Sequence, residues 1–106
     1  MSPRPGEVWL ADLGMAAKTR PVVVVSRYDE DPPRVLVLYV PLTSEDRDSA
    51  YEVKMPKLPF LRLEGVANVQ GIGSLPGKRL ERRLGVLPTE VMARIKQALR
   101  FALDLD

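Results

Sequence analysis

A chain of 106 residues with 45% hydrophobic and 28% charged side chains can fill one compact core, and it excludes a disordered tail. Cysteine and histidine are both absent, which excludes disulfides, thiolate chemistry, Ser-His-Asp triads, Cys₂His₂ zinc sites and histidine acid–base pairs. The net charge of +2 is mild, but the cluster GKRLERRLG (Lys78, Arg79, Arg82, Arg83) gathers the excess into a patch. Such a patch suits phosphate or an acidic protein, or simply a solvated turn.

In chain order, GEVWLADLG alternates. Glu7, Trp9, Ala11 and Leu13 fall on one face, Val8, Leu10 and Asp12 on the other, and Gly14 closes the strand. A short loop leads to KTRPVVVVS. Pro21 tolerates only the start or edge of a strand, and Val22 to Val25 are too few and too β-branched for a helix. They are expected as a strand buried on both faces. SRYDEDPP is a turn-forming break, with Ser26 expected as a turn hydroxyl. RVLVLYVPLTS is a second continuous apolar strand ending at Pro41, and YEVKM is a shorter one. PKLPFLRLE is an irregular crossing, GVANVQGIGS is a strand with bends or a bulge, and RLGVL closes the β portion. The period then changes. Val91, Ile95, Ala98 and Ala102 share a stripe widened by Met92, Leu99 and Leu103, which predicts an amphipathic helix with Thr89 as its N-cap.

The expected architecture is mainly β: one domain over 1–106, a small β-barrel with a C-terminal α-helix. Two strands buried on both faces in so short a chain predict a surface completed by a second copy. No run approaches the roughly 18 apolar residues of a membrane span. The opening MSPRPGEVWL lacks a signal peptide's apolar stretch, so the expected compartment is the cytoplasm.

Two weak signals are set aside. GIGSLPG is not GxGxxG, opens no helix and lacks a Gly-Lys-Ser/Thr ending, so it is expected as a turn. SEDRDS groups Glu45, Asp46 and Asp48 without the spacing of a calcium loop and is expected as a solvated loop. Two features remain. Arg20 carries a permanent charge pinned before a rigid strand, and Thr43 and Ser44 emerge directly after another. If those strands are antiparallel neighbours, Arg20 and Thr43 share one rim. A salt bridge for the arginine and a capping role for the hydroxyl are the structural alternative.

PGEVWLADLG, KTRPVVVVS, VPLTS and RLERRLGVLPTEVMARIKQAL also stand in the order and spacing of the MazF/PemK family of toxin endoribonucleases. The chain resembles that family over nearly its whole length. The resemblance implies an SH3-like barrel, a homodimer, and cleavage of single-stranded RNA without metal or cofactor. It also implies a cognate antitoxin, usually an acidic, partly disordered segment laid over the RNA groove. Carried over by position, the arginine of the RP pair is Arg20 and the hydroxyl of the P-x-T motif is Thr43, the expected catalytic residues. Lys18, Ser44, Asn68 and Gln70 are the expected RNA contacts. The chain departs from the family in its first loop, GMAAKT, which holds no acid, and in Val69, which stands before Gln70 in place of Asp or Glu. The general base is therefore unassigned. A weakened RNA- or antitoxin-binding module and a gyrase-poison-like protein of the same fold stay open as alternatives.

Overall fold

The computed structural model describes residues 2–14, 19–62 and 64–106. Among these residues seven strands precede one helix: β1 (Glu7–Ala11), β2 (Arg20–Val24), β3 (Leu36–Thr43), β4 (Glu52–Lys54), β5 (Val66–Asn68), β6 (Gly73–Pro76) and β7 (Leu80–Val86), then α1 (Thr89–Ala102). Every pairing is antiparallel, and the neighbours run β4-β5-β3-β2-β1-β7. β6 lies off this path and pairs with β3. The protein is thus a mainly β, antiparallel sheet with one C-terminal helix. The path is open, since β4 and β7 do not pair with each other among the described residues.

β5 and β6 both pair with β3, on the side away from β2. They form one run interrupted by a 3₁₀ turn at Val69–Gly71, where the Asn68 side chain accepts a hydrogen bond from the Gln70 amide at 3.1 Å. The expected bend in GVANVQGIGS is therefore present. The expected turn in GIGSLPG is instead strand β6. Its glycines and Pro76 are tolerated because β6 adds to an edge and needs few donors of its own.

Valine alternation in β1 and β2 splits the interior into two clusters. Val8, Val23, Val40 and Leu42 face α1, whose Val91, Met92, Ile95 and Ala98 cover them. Trp9, Ala11, Val22, Val24, Val37, Leu75 and Leu80 form the second cluster on the opposite face. No second helix covers that face among the described residues; Leu75 of β6 and Leu80 of β7, from opposite ends of the run β6-β3-β2-β1-β7, meet in it. Two register shifts between β1 and β7 supply extra twist.

Three further expectations need correcting. The N-cap of α1 is Pro88, not Thr89. Val91 and Met92 donate their amides to the Pro88 carbonyl, and no side chain caps the end. Leu103 lies past the helix and is half-exposed, because the stripe ends with the last turn. β3 continues to Thr43 and is not buried on both faces throughout: Leu36 and Leu38 are each 46% exposed on the side away from Val37. No helix among the described residues is long and apolar enough to cross a membrane.

One buried charge ties β1 to β7. Glu7 accepts hydrogen bonds from the Arg4 amide (3.1 Å), Trp9 Nε1 (3.0 Å) and Arg83 Nη1 (3.1 Å). Burial pushes its carboxyl up, but these three donors outweigh burial and hold it below its ordinary value near 4.5. Because the folded-state value is lowered, the stabilisation is full above the unfolded value and lost as pH falls through the folded one. Glu7→Gln should therefore lose roughly 1–2 kcal/mol at neutral pH. In urea titrations the gap between variant and parent should close as pH falls below that ordinary value. A gap that stays constant down to the acid limit would contradict this account of Glu7.

Candidate active site

The β2–β3 register, Val22 opposite Pro41, carries on by two residues to bring Arg20 and Thr43 to one end of neighbouring strands. Both border a groove of about 780 Å³ with an apolar floor that includes Leu10, Phe60 and Leu84. Ser44, Glu45, Arg62 and Arg82 complete its polar wall. A second depression of about 520 Å³ adjoins it and holds Asn68 and Gln70, together with Arg47, Tyr51 and Glu52. Pro41, Thr43 and Glu45 belong to both, forming the shared ridge. Of the residues singled out by sequence, Arg20, Thr43 and Ser44 come together in the first groove, and Asn68 and Gln70 lie across the ridge. Lys18 lies outside the described residues.

The charge balance of the first groove is lopsided. Arg20, Arg62 and Arg82 line it, and among the described residues none of the three has a carboxylate partner. Three guanidinium groups around one cleft repel each other unless an anion bridges them, and each offers a planar fork matched to phosphate oxygens. Arg82 pairs with Leu10 on β1, whereas its neighbour Arg83 pairs with Trp9 and turns to Glu7. The basic cluster is thus divided between two jobs.

Across the ridge the loop is braced. Glu52 accepts from the Ser49 hydroxyl (2.7 Å), the Ser49 amide (3.0 Å) and the Arg47 amide (3.1 Å). The Ser49 bonds, with help from Arg47, hold its carboxyl below the usual range. Lys54 reaches Asp48 at 3.3 Å. SEDRDS is therefore an exposed loop with defined internal bonds, and no group of three or more metal-ligating side chains gathers among the described residues. The Thr43 hydroxyl accepts the Glu45 amide at 3.2 Å, which fixes the chain as it leaves β3.

A family model described as PemK-like, MazF-like toxin of type II toxin-antitoxin system matches residues 4–103. The chain belongs to this PemK-like, MazF-like toxin family. Solved structures agree. A mycobacterial endoribonuclease in complex with its cognate antitoxin is 30% identical, with a TM-score of 0.85 over 98% of this chain and 97% of that one. The Mycobacterium tuberculosis toxin MazF-mt6 is 28% identical, with a TM-score of 0.82 over 97% and 99%. MazF from Deinococcus radiodurans is 26% identical, with a TM-score of 0.80 over 99% of each chain. For this MazF-like toxin, the shared place of Arg20 and Thr43 at one groove was legible from short motifs. The place of Arg62, Arg82 and Glu45 in that groove was not: the first sits in an irregular run, the second in a cluster with two facings, and the third in what reads as a solvated acidic loop.

Proposed function

We propose that this MazF-like toxin is an endoribonuclease that cuts single-stranded RNA, acting in the cytoplasm as the toxin of a type II toxin–antitoxin pair. The observation that carries this reading is the groove where Arg20 and Thr43 meet beside Arg62 and Arg82, in a chain whose relatives include named endoribonucleases. RNA brings its own nucleophile. With the backbone phosphate held against Arg20, the adjacent 2′-hydroxyl attacks phosphorus and the 5′-oxygen leaves, giving a 2′,3′-cyclic phosphate and a 5′-hydroxyl. Arg20 stabilises the charge that develops on the phosphoryl oxygens, and Thr43 orients the phosphate. Ser44, Asn68, Gln70 and Lys18 contact the strand on either side. The guanidinium-rich wall disfavours a cation, so the chemistry proceeds without metal or cofactor.

The curled sheet is the core of an SH3-like barrel, and the exposed Val35, Leu36 and Leu38 suit a homodimer contact. Light scattering should then return twice the 11.8 kDa chain mass. The cognate antitoxin is an acidic segment that covers the arginine-lined groove.

The test of activity uses long single-stranded RNA in excess EDTA beside DNA of the same sequence. RNA should be cut at a limited set of sites and DNA left intact, because only RNA carries the attacking hydroxyl. Replacing one 2′-hydroxyl by hydrogen directly 5′ to a mapped cut should abolish that cut and spare the others. Cleavage that survives the replacement would sink the internal-nucleophile mechanism. Binding of RNA or an acidic peptide without cleavage would favour a binding module.

A further inference from the structure

The groove lacks an assigned group to take the proton of the attacking hydroxyl, and an arginine is a poor acceptor because it keeps its proton throughout the range in which proteins work. We propose that Glu45 is that proton acceptor, a catalytic residue on the ridge between the two depressions. The inference rests on the ribonuclease reading above and adds the base to it.

Three observations lead to Glu45. First, among the described residues it is the one carboxylate that lines the groove with Arg20 and Thr43, and it borders the adjoining depression as well. Second, the Thr43 hydroxyl accepts the Glu45 amide at 3.2 Å, which fixes the Glu45 backbone beside the residue that orients the phosphate. Third, two other carboxylates, Glu52 of the adjoining depression and Glu7 of β1, are committed elsewhere. Both oxygens of Glu52 accept from Arg47 or Ser49, and Glu7 is buried under Trp9 and Arg83. Among the described residues Glu45 itself pairs only with Arg47, at 3.0 Å, and both side chains are about three-quarters exposed (73% and 78%). Such a pair is weak and opens readily. Among the described residues, the charged groups that line the two depressions with Glu45 are Arg47 from its own loop, Arg20 from β2, Arg62 from the segment before β5, Arg82 from β7 and Glu52 from β4.

The step balances without a further reactant. The 2′-hydroxyl proton passes to the Glu45 carboxylate as the 2′-oxygen bonds to phosphorus. The bond between phosphorus and the 5′-oxygen breaks, and the leaving oxygen takes a proton from water. The hydroxide so formed removes the proton from Glu45, returning the carboxylate.

The test compares single-turnover cleavage by the parent, Glu45→Gln, Glu45→Asp, Glu45→Ala and Arg20→Ala across pH, with binding to RNA carrying a 2′-deoxy residue at the cut. Glu45→Gln should slow cleavage by about 10²-fold or more and lose the acidic limb of the parent's pH profile. Binding to the deoxy RNA should stay within about twofold, since a base contributes to the transition state rather than to ground-state affinity. Glu45→Asp should keep the limb at a reduced rate, and added formate should partly restore Glu45→Ala. A Glu45→Gln protein that cleaves within about threefold of the parent and keeps the limb, while Arg20→Ala is inactive, overturns the assignment of Glu45 and leaves the ribonuclease reading standing. A loss of cleavage matched by an equal loss of binding also overturns it, making Glu45 a binding residue. A parent protein that cuts no RNA overturns both.

Discussion

Arg20→Lys should lower single-turnover RNA cleavage by about 10²-fold or more while leaving the urea midpoint unchanged. The ammonium keeps the charge, but it cannot present two parallel donors to phosphoryl oxygens as they gain charge. The side chain is exposed at the end of β2, so its replacement removes no core contact. Arg20→Ala should fall further. Thr43→Ala should cost less than either, because water can stand in for one hydroxyl, although the Glu45 amide then loses its acceptor. The measurement is a rate at saturating enzyme on one mapped site, beside a parent protein prepared identically. Arg20→Ala cleaving at the parent rate would remove Arg20 from the mechanism.

Gly65→Ala is expected to be the most damaging single methyl group added to this chain. A Cβ there would overlap the Thr43 carbonyl oxygen and come within 2.8 Å of the Thr43 carbonyl carbon and 3.0 Å of Ser44 Cα. All three are backbone atoms, so no rotamer change relieves the clash. The chain must separate β5 from the end of β3, where Thr43 faces Val66, and it must strain the Met55 amide bond to the Gly65 carbonyl. The cost is about 2–3 kcal/mol, or a fall in Tm of roughly 8–15 °C. RNA cleavage should suffer beyond the loss of folded protein, because the displaced ridge carries Thr43, Ser44 and Glu45. Gly77→Ala is the control. A Cβ there meets only Val35 and Val37 side chains at 3.7 and 4.0 Å, so stability should hardly change. A Gly65→Ala protein with the parent's Tm would show that the β3–β5 junction gives way more easily than its geometry implies.

Much of the fold was legible because its signals are local. The valines of β2, the alternation in β1 and the change of period at α1 each report one element, and each is where expected. The glycine- and proline-bearing β6 was not legible, since its conformation is imposed by pairing with β3 rather than by its own residues. The exposure of Leu36 and Leu38 was hidden for a related reason: an apolar run does not say which of its faces finds a neighbour. In the site, Arg20 and Thr43 could be placed together because antiparallel neighbours put one strand's start beside the other's end. Arg82 could not be separated from Arg83 without the two register shifts between β1 and β7, which alternation alone cannot supply. Glu45 was hidden by its company, a run of acids and serines whose composition is that of any solvated loop.

The pairing of β1 with β7 also sets an order of events during synthesis. β1 gains β2 on one side early, but its other edge must wait about 70 residues, roughly 4–14 s at ordinary elongation rates, for Leu80 to Val86. Arg82 and Leu84 arrive with that last strand, so an unfinished chain carries Arg20 and Thr43 but no complete groove. An emerging chain therefore presents the Arg20 and Thr43 rim without the wall opposite it until Leu80 to Val86 have been made and paired.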